Sequence, residues 1–370
     1  MNTTESSFPS SSSLASARSA GLLPRLAVVG LLLGLIIALF LYAGGWFTPH
    51  KLTPATIVDT FEKVGGVHPG FRRNHAKGID VTGYFDSNGQ GQAISRSLVF
   101  AQGRVPVVGR FAYAGGDPNI ADAPQTVRSL ALLFRLPDGE EWRTAMVNIP
   151  VFLVKNPQSF NDLLLASAAD PATGKPKPAL MNAFLAGHPE TAAAMKVIGS
   201  HPFSSGFGDS PYYGLNAFMF TRLGGESVPV RWWVAPEQTS PEQTGPVTTS
   251  ATGKNYMFDA LIGQVHAKPL RWHLMLTVGQ PGDPTADATV PWPPDRKQID
   301  AGTLTIESIE SEDISPTRDI VFDPLVLPDG IAPSDDPILS ARSAAYLQSF
   351  TRREGEQKTP SAVSPAEACK

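Results

Sequence analysis

Val105-Pro106-Val107-Val108-Gly109-Arg110-Phe111-Ala112-Tyr113, followed at once by Ala114-Gly115-Gly116-Asp117-Pro118, sets the pattern of the chain. A short run rich in β-branched and aromatic residues ends in a cluster of turn residues. The pattern recurs. Residues 79–85, 97–100, 127–134 and 144–154 read as strands in the first half, and 213–222, 228–234, 270–278 and 303–309 in the second. Gly, Pro, Asn and Asp punctuate them, as an antiparallel barrel or sandwich requires. The 33 glycines and 34 prolines among 370 residues stand above the ordinary combined level of about 12%. That excess excludes coiled coils and helical bundles. Three helices interrupt the β pattern. Residues 54–64 follow the cap residue Thr53, residues 178–197 carry a break near 187–189, and residues 337–353 follow the N-cap Asp336. Each begins on a proline, whose fixed φ suits the first helical position. No internal repeat is visible. The class is α+β with β dominant.

Charge and ends narrow the function. Thirty Lys and Arg stand against 34 Asp and Glu, for a net charge of −4. No basic excess is available to neutralise nucleic-acid phosphates. Hydrophobic residues at 42% allow a sizeable core and exclude wholesale disorder. The single cysteine, Cys369, excludes an intrachain disulfide and any Cys-based metal or iron–sulfur site. Residues 1–25, rich in Ser, Thr and Ala at their start, read as a disordered N-terminus. Residues 26–47 read as a transmembrane anchor with Tyr42 and Trp46 at the interface,. A cleaved signal peptide is the alternative, but the apolar run exceeds the usual ~7–15 residues of such segments. Arg18 and Arg25 before the run, against Lys51 after it, orient the bulk of the protein to the periplasmic or extracytoplasmic side,. Residues 51–353 form the folded domain and 354–370 a disordered tail.

The last helix carries the most chemistry. Arg342, Tyr346, Phe350 and Arg353 fall at i, i+4, i+8 and i+11, on one stripe,. One reading is an amphipathic helix whose arginines reach water. The other is a haem site. Tyrosine binds ferric iron as phenolate, which a neighbouring Arg stabilises. A further Arg would pair with a haem propionate. Such a site asks for a histidine on the other haem face, and His75 lies in Arg72-Arg73-Asn74-His75-Ala76-Lys77-Gly78, just before a strand.

These segments resemble the catalase family. His75-Ala76-Lys77-Gly78 with Arg72 looks like its distal-histidine motif. Arg110-Phe111, then Ala121-Asp122, Arg128 and Phe134, resembles its next block. Asn148-Ile149-Pro150-Val151-Phe152, then Phe160, resembles the segment of the distal asparagine and channel phenylalanines. Phe322-Asp323-Pro324, Gly330-Ile331, Pro333-Ser334, Arg342, Tyr346 and Arg353 resemble the proximal block. The matches run in family order over about residues 60–353. Length and the N-terminal apolar run look most like the catalase-related haem peroxidases, a reduced branch.

The resemblance implies an antiparallel β-barrel core with flanking helices and no C-terminal helical domain, around haem b. Tyr346 would be the axial iron ligand, tuned by Arg342. Arg72, Arg110 and Arg353 would hold propionates. His75 would be the general base and Asn148 the polar distal group, with Phe152 and Phe160 along the access path. Three positions depart from the pattern. Val147 stands where the catalytic asparagine is counted, Ala112 where a serine supports the distal histidine, and Phe350 where a histidine follows the tyrosine. A drier distal pocket should penalise catalase turnover most, since that uses peroxide twice. The expectation is a peroxidase for hydrogen peroxide or organic hydroperoxides with a small reductant, and residual catalase activity. Its alternatives are rearrangement of fatty-acid hydroperoxides, as in allene oxide synthases, and a non-enzymatic haem carrier. An oligomer is open, but not the interlocked catalase tetramer. Elsewhere, Glu307, Glu310, Glu312 and Asp313 read as a solvated strand end. His266 and His273 read as structural, on opposite faces of one strand. Gly206 and Gly208 lack the Lys-Ser/Thr of a phosphate loop. Trp232 and Trp233 read as one core and one outer residue.

Overall fold

The computed structural model describes residues 12–43, 52–238 and 253–365. Ser12–Ala43 is one helix, α1, with Pro24 inside it. Its Pro24–Ala43 portion has a mean hydropathy of 2.8, in the range shared by membrane spans and signal sequences. The helix therefore begins inside the stretch expected to be disordered. Trp46, Lys51 and Cys369 lie outside the described residues.

The second unit, from Pro54 onward, is built on ten strands: β1 Gly78–Ser87, β2 Gly103–Tyr113, β3 Arg128–Arg135, β4 Glu141–Val147, β5 Tyr212–Tyr213, β6 Phe218–Thr221, β7 Ser227–Pro236, β8 Leu270–Val278, β9 Gln298–Glu310 and β10 Ile331–Pro333. All pairings are antiparallel. β7, β5, β4, β3, β2, β1, β9 and β8 follow one another, and β7 pairs with β8 to close an eight-stranded barrel. β6 and β10 extend it at one end. Closure removes the free edges that an open sheet would expose. The helices are α2 Pro54–Gly65, α3 Pro157–Ala166, α4 Pro178–Gly187, α5 Pro189–Gly199, α6 Tyr256–Ala267 and α7 Pro337–Glu354.

Alternation along the strands separates two surfaces. On β2, Val105, Val107, Phe111 and Tyr113 point into the barrel. They meet Phe134, Trp142, Trp232 and Trp272 in one aromatic core, with Phe134 stacked on Trp142 at 4.8 Å. The intervening residues face outward, and on β2–β4 they face the functional site.

Several expectations change. Residues 97–100 form a short 3₁₀ turn, since Ser97 and Leu98 carbonyls close on Phe100 and Ala101. The strand expected over 144–154 ends at Val147, and the rest is a loop to α3. The strand over 213–222 is interrupted between β5 and β6 by Leu215, whose φ of 64° cannot continue a ladder,. The helix over 178–197 divides at His188-Pro189, where its break was expected. α3 and α6 went unread because their apolar spacing is short. His266 therefore sits on α6 and not on a strand with His273. Residues 354–365 are not a loose tail. Glu356 pairs with Arg73, Asn255 donates to Ala362 O at 3.0 Å, and Val363 is buried. Trp232 lies in the core and Trp233 on the outer face.

Candidate active site

Outward positions of the barrel wall form the floor of a cavity of about 480 Å³, within the usual range for small-molecule sites,. Ser129 and Ala131 on β3 and Ala145 and Val147 on β4 line it. Two of the four are alanines, which leaves room above the sheet. Helices α2, α3 and α7 cover it, contributing Ile57, Phe61, Phe160, Arg342 and Tyr346. Phe160 contacts Phe61 edge-on at 5.8 Å and stacks on Phe152 at 5.6 Å, which makes an apolar approach.

Tyr346 is held from behind by a chain of polar side chains. α7 starts sharply because Asp336 Oδ1 accepts from Ile338 N and Pro337 takes the first turn,. One turn separates Arg342 from Tyr346, so both face the cavity. Arg342 Nη2 donates to Tyr346 Oη at 3.3 Å and its Nη1 donates to Asn216 Oδ1 at 2.6 Å. Asn216 Nδ2 in turn donates to Asp336 Oδ2 at 2.7 Å. Asn216 follows Leu215, whose left-handed backbone turns the chain out of the strand path,. The Asp336 carboxyl is pushed up by burial, against the pull of Asn216.

His75 comes from the loop before β1. Its φ of 56° lies in the left-handed region, a conformation that costs a non-glycine residue about 1–3 kcal/mol,. Asn74 holds it there, its Oδ1 accepting from His75 N at 3.0 Å and from Gly115 N at 2.8 Å. Gly78 closes the motif because a Cβ there would meet the Arg110 guanidinium. Arg110 Nη1 donates to His75 O at 2.7 Å and Nη2 to Ala76 O at 3.1 Å. The His75 ring contacts Ser129 Oγ through Nδ1 at 3.1 Å. Burial first, then the charges of Arg110 and Arg342, push the imidazole down to about 3. It is therefore neutral at physiological pH and able to accept a proton.

Three guanidiniums converge at one end of the cavity. Arg72 and Arg110 share Glu312, at 2.6 and 2.7 Å. Arg72 and Arg353 share the Arg318 carbonyl, at 3.1 and 2.7 Å. Glu312 corrects the sequence expectation. It is only 5% exposed, because the two arginines draw it inward. Burial alone would raise it, but Arg110 and Arg72 outweigh that and hold it down. Asp80, beside them, is raised by burial and by Glu312. Arg353 is pushed down by burial and by Arg72, although the exposed Asp319 stands 4.0 Å from its Nη1. At this end Arg72, Arg110 and Arg353 stand against the buried carboxyls of Glu312 and Asp80, with the exposed Asp319 beside Arg353. A large apolar ligand with acidic groups at one end and a metal that accepts an anionic oxygen fits this donor set. Haem meets both requirements.

Of the residues singled out in the sequence, Arg72, His75, Arg110, Phe152, Phe160, Arg342, Tyr346 and Arg353 line this one cavity. Asn148 does not. Its Oδ1 accepts from Arg128 N at 2.8 Å and its own N donates to Arg128 O, so it closes the end of the β3–β4 pair. Val147 occupies the cavity position instead. Phe350 lies beneath the Arg353 guanidinium, 5.0 Å from its carbon. Sequence reading missed Ser129, Asn216, Asp336 as a polar partner, and Glu312. The signal for Ser129 was present: it is the hydroxyl in a strand otherwise apolar between Arg128 and Arg135, on the same face as Ala131. Among the described residues, no cluster of His, Cys, Asp and Glu is arranged to hold a metal ion.

The family profile for catalase matches residues 61–363. A catalase-related peroxidase of Synechococcus elongatus is 36% identical over 307 residues, covering 83% of this chain and 90% of that protein. A catalase-related peroxidase of Mycolicibacterium paratuberculosis is 29% identical, covering 82% and 96%. Among solved structures, a fungal catalase superposes with a TM-score of 0.69 at 18% identity, over 81% of this chain. Catalase A from Saccharomyces cerevisiae gives 0.67 at 18%. The chain spans 62% of the length of the fungal enzyme and 64% of the yeast one.

Proposed function

The chain belongs to the catalase family, and we propose that it is a haem b peroxidase that reduces hydrogen peroxide or organic hydroperoxides at the expense of a small-molecule reductant. One observation carries this reading: a single cavity joins Tyr346, hydrogen-bonded by Arg342, to a neutral His75. Bound there, the haem supplies an iron that exchanges electrons with peroxide. The remaining work falls to side chains. His75 takes a proton from one peroxide oxygen and returns it to the departing one, and its neutrality makes the first step available. Arg342 donates to Tyr346 Oη and so favours the anionic oxygen that iron requires. Arg72 and Arg353 hold the propionates. Arg110 bonds Glu312, His75 O and Ala76 O and so also fixes the His75 loop. Phe61, Phe152 and Phe160 exclude water from the approach.

Catalase turnover is weak in this account. With Val147 at the cavity and Asn148 turned to the strand end, the Asn148 amide does not reach a second peroxide to orient it as reductant. We also read Pro24–Ala43 as an uncleaved anchor, with the catalytic unit on the extracytoplasmic side,.

The test uses the full chain carrying haem b, supplied with peroxide and a phenolic electron donor. Donor oxidation in step with peroxide loss, with little oxygen released, is the expected result. Peroxide lost entirely as oxygen and water, or not lost at all, contradicts the reading.

A further inference from the structure

The outer face of the barrel continues past the cavity. Residues paired directly across an antiparallel ladder leave the sheet on the same side. Val147 on β4 lines the cavity and is paired with Tyr213 on β5, the rung that joins those two strands. Tyr213 is paired with Trp233 on β7, and Trp233 with Met275 on β8. These four side chains form one row on the outer face, while their chain neighbours Met146, Tyr212, Trp232 and Leu274 fill the core.

Tyr213 and Trp233 are stacked, with ring centroids 5.7 Å apart and planes inclined by 17°. Both are half-buried, so water and solutes reach them. The indole Nε1 of Trp233 donates over 3.4 Å to Oε1 of the exposed Gln298. Two strand spacings, about 10 Å, separate the strand of Val147 from that of Trp233. As packing alone, such a cross-strand pair contributes about 0.2–1 kcal/mol. Packing does not ask that a phenol, an indole and a thioether, which all give up electrons readily, fill three successive places in the row that starts at the cavity wall.

We propose that Trp233 is a second site of reaction, an electron-entry position on the outer face of the barrel where phenols or arylamines are oxidised, with Tyr213 carrying the electron on toward the cavity. The proposal rests on the peroxidase reading and locates its reductant. A flat aromatic donor stacks on the accessible indole. The indole passes one electron inward across the Tyr213 ring and is restored by the donor, which releases one proton to water and leaves as a phenoxyl or aminyl radical. Two donors supply the two electrons that break the O–O bond of the peroxide. Two protons taken up from water complete the products, two waters from hydrogen peroxide or one water and one alcohol from an organic hydroperoxide. Peroxide and reductant thus need not share the apolar approach past Phe152 and Phe160.

Two measurements on the full chain carrying haem b test the proposal. The first compares two electron donors, guaiacol and a phenol coupled to dextran, which is too large to enter the cavity. The wild type should oxidise both. Trp233→Phe keeps a ring in place but removes the indole, and should oxidise the dextran phenol at least about tenfold more slowly. Its reaction with peroxide before any donor is added, followed through the haem absorbance, should keep the wild-type rate. Tyr213→Leu removes the intervening ring and should show the same selective loss. A wild type that oxidises guaiacol but not the dextran phenol, or a Trp233→Phe variant as fast as wild type on it, overturns the surface site and leaves the peroxidase reading standing. A wild type that oxidises neither donor overturns both. The second measurement adds peroxide without a donor, in the presence of a nitroso spin trap, and locates the trap adducts by peptide mass spectrometry. An adduct on Trp233 is expected in the wild type, weakened in Tyr213→Leu. Adducts confined to other residues overturn the proposal even if the dextran phenol is oxidised. This second readout reports which residue loses the electron and does not depend on turnover.

Discussion

Tyr346 and His75 look into one cavity, but the chain supports them in different ways. Behind Tyr346 stands a relay of three side chains, Arg342, Asn216 and Asp336, which ends in the N-cap of the helix that carries the tyrosine. The relay has a full cation at its head and a carboxyl at its foot. Behind His75 stand only neutral groups, the Ser129 hydroxyl and the Tyr113 backbone. Charge still acts on His75, from Arg110 and Arg342, but as repulsion that keeps the ring neutral. The contrast follows from the two tasks. An iron ligand must present a negative oxygen, which a donated charge stabilises. A base must present a bare nitrogen, which a partnered carboxylate would tend to protonate.

The sharpest way to break this comparison is to remove its ends in turn. His75→Gln should lower the rate of peroxide reduction by roughly 10²- to 10⁴-fold while haem stays bound. Stopped-flow absorbance checks it, and a loss under threefold removes His75 from the base role. Arg342→Leu strips Tyr346 of its donor and leaves the Asn216 carbonyl unpaired. Haem affinity should fall by about 10- to 100-fold, measured by transfer to an apo-acceptor. If haem release keeps its wild-type rate, the relay does not serve the ligand.

Asp336→Ala sharpens the same side, since it removes an N-cap and the partner of Asn216 together. Thermal or urea unfolding should show a loss of about 1–3 kcal/mol. A change below ~0.5 kcal/mol would mean that the foot of the relay bears no weight.

The His75 side has its own signature in pH. Its ring titrates at about 3 in the folded chain, against 6.5 ordinarily. Below pH 6.5 the unfolded chain gains a proton that the folded chain refuses until about pH 3. This share of stability is whole above 6.5 and declines as pH falls through that window. His75→Gln should flatten the stability curve there, and parallel curves for the two proteins count against a buried neutral ring. The smallest effect is expected at Asn148. Asn148→Ala should cost about 1 kcal/mol of stability through its bond to Arg128 N, and change the peroxide rate by under twofold. A tenfold loss of rate would return Asn148 to the distal site.

Much of this was legible beforehand, for reasons that particular residues make plain. An antiparallel barrel or sandwich was readable because β2 and its neighbours alternate and end in turn clusters, and the family resemblance chose the barrel. Spacing put Tyr346, Arg342 and Arg353 on one helical stripe, and the resemblance to the catalases gave that stripe its roles. What stayed hidden depends on register and on long-range charge. Ser129 reaches His75 only because β3 pairs with β2 so that it faces Ala112. Glu312 reads as a solvated acid until Arg72 and Arg110, some 200 residues earlier, draw it inside. Asn216 depends on a positive φ at Leu215, a residue type that gives no warning of it. Asn148 shows the converse. Its motif was present, but its side chain serves the strand end.

The most direct measurement is the absorption spectrum of the full chain purified with haem, wild type against Tyr346→Phe. The wild type should show ferric haem with the charge-transfer bands of a phenolate ligand, and the variant should lose those bands or the haem. Identical spectra for the two proteins would contradict ligation by Tyr346, and with it the assignment of this cavity as the haem site.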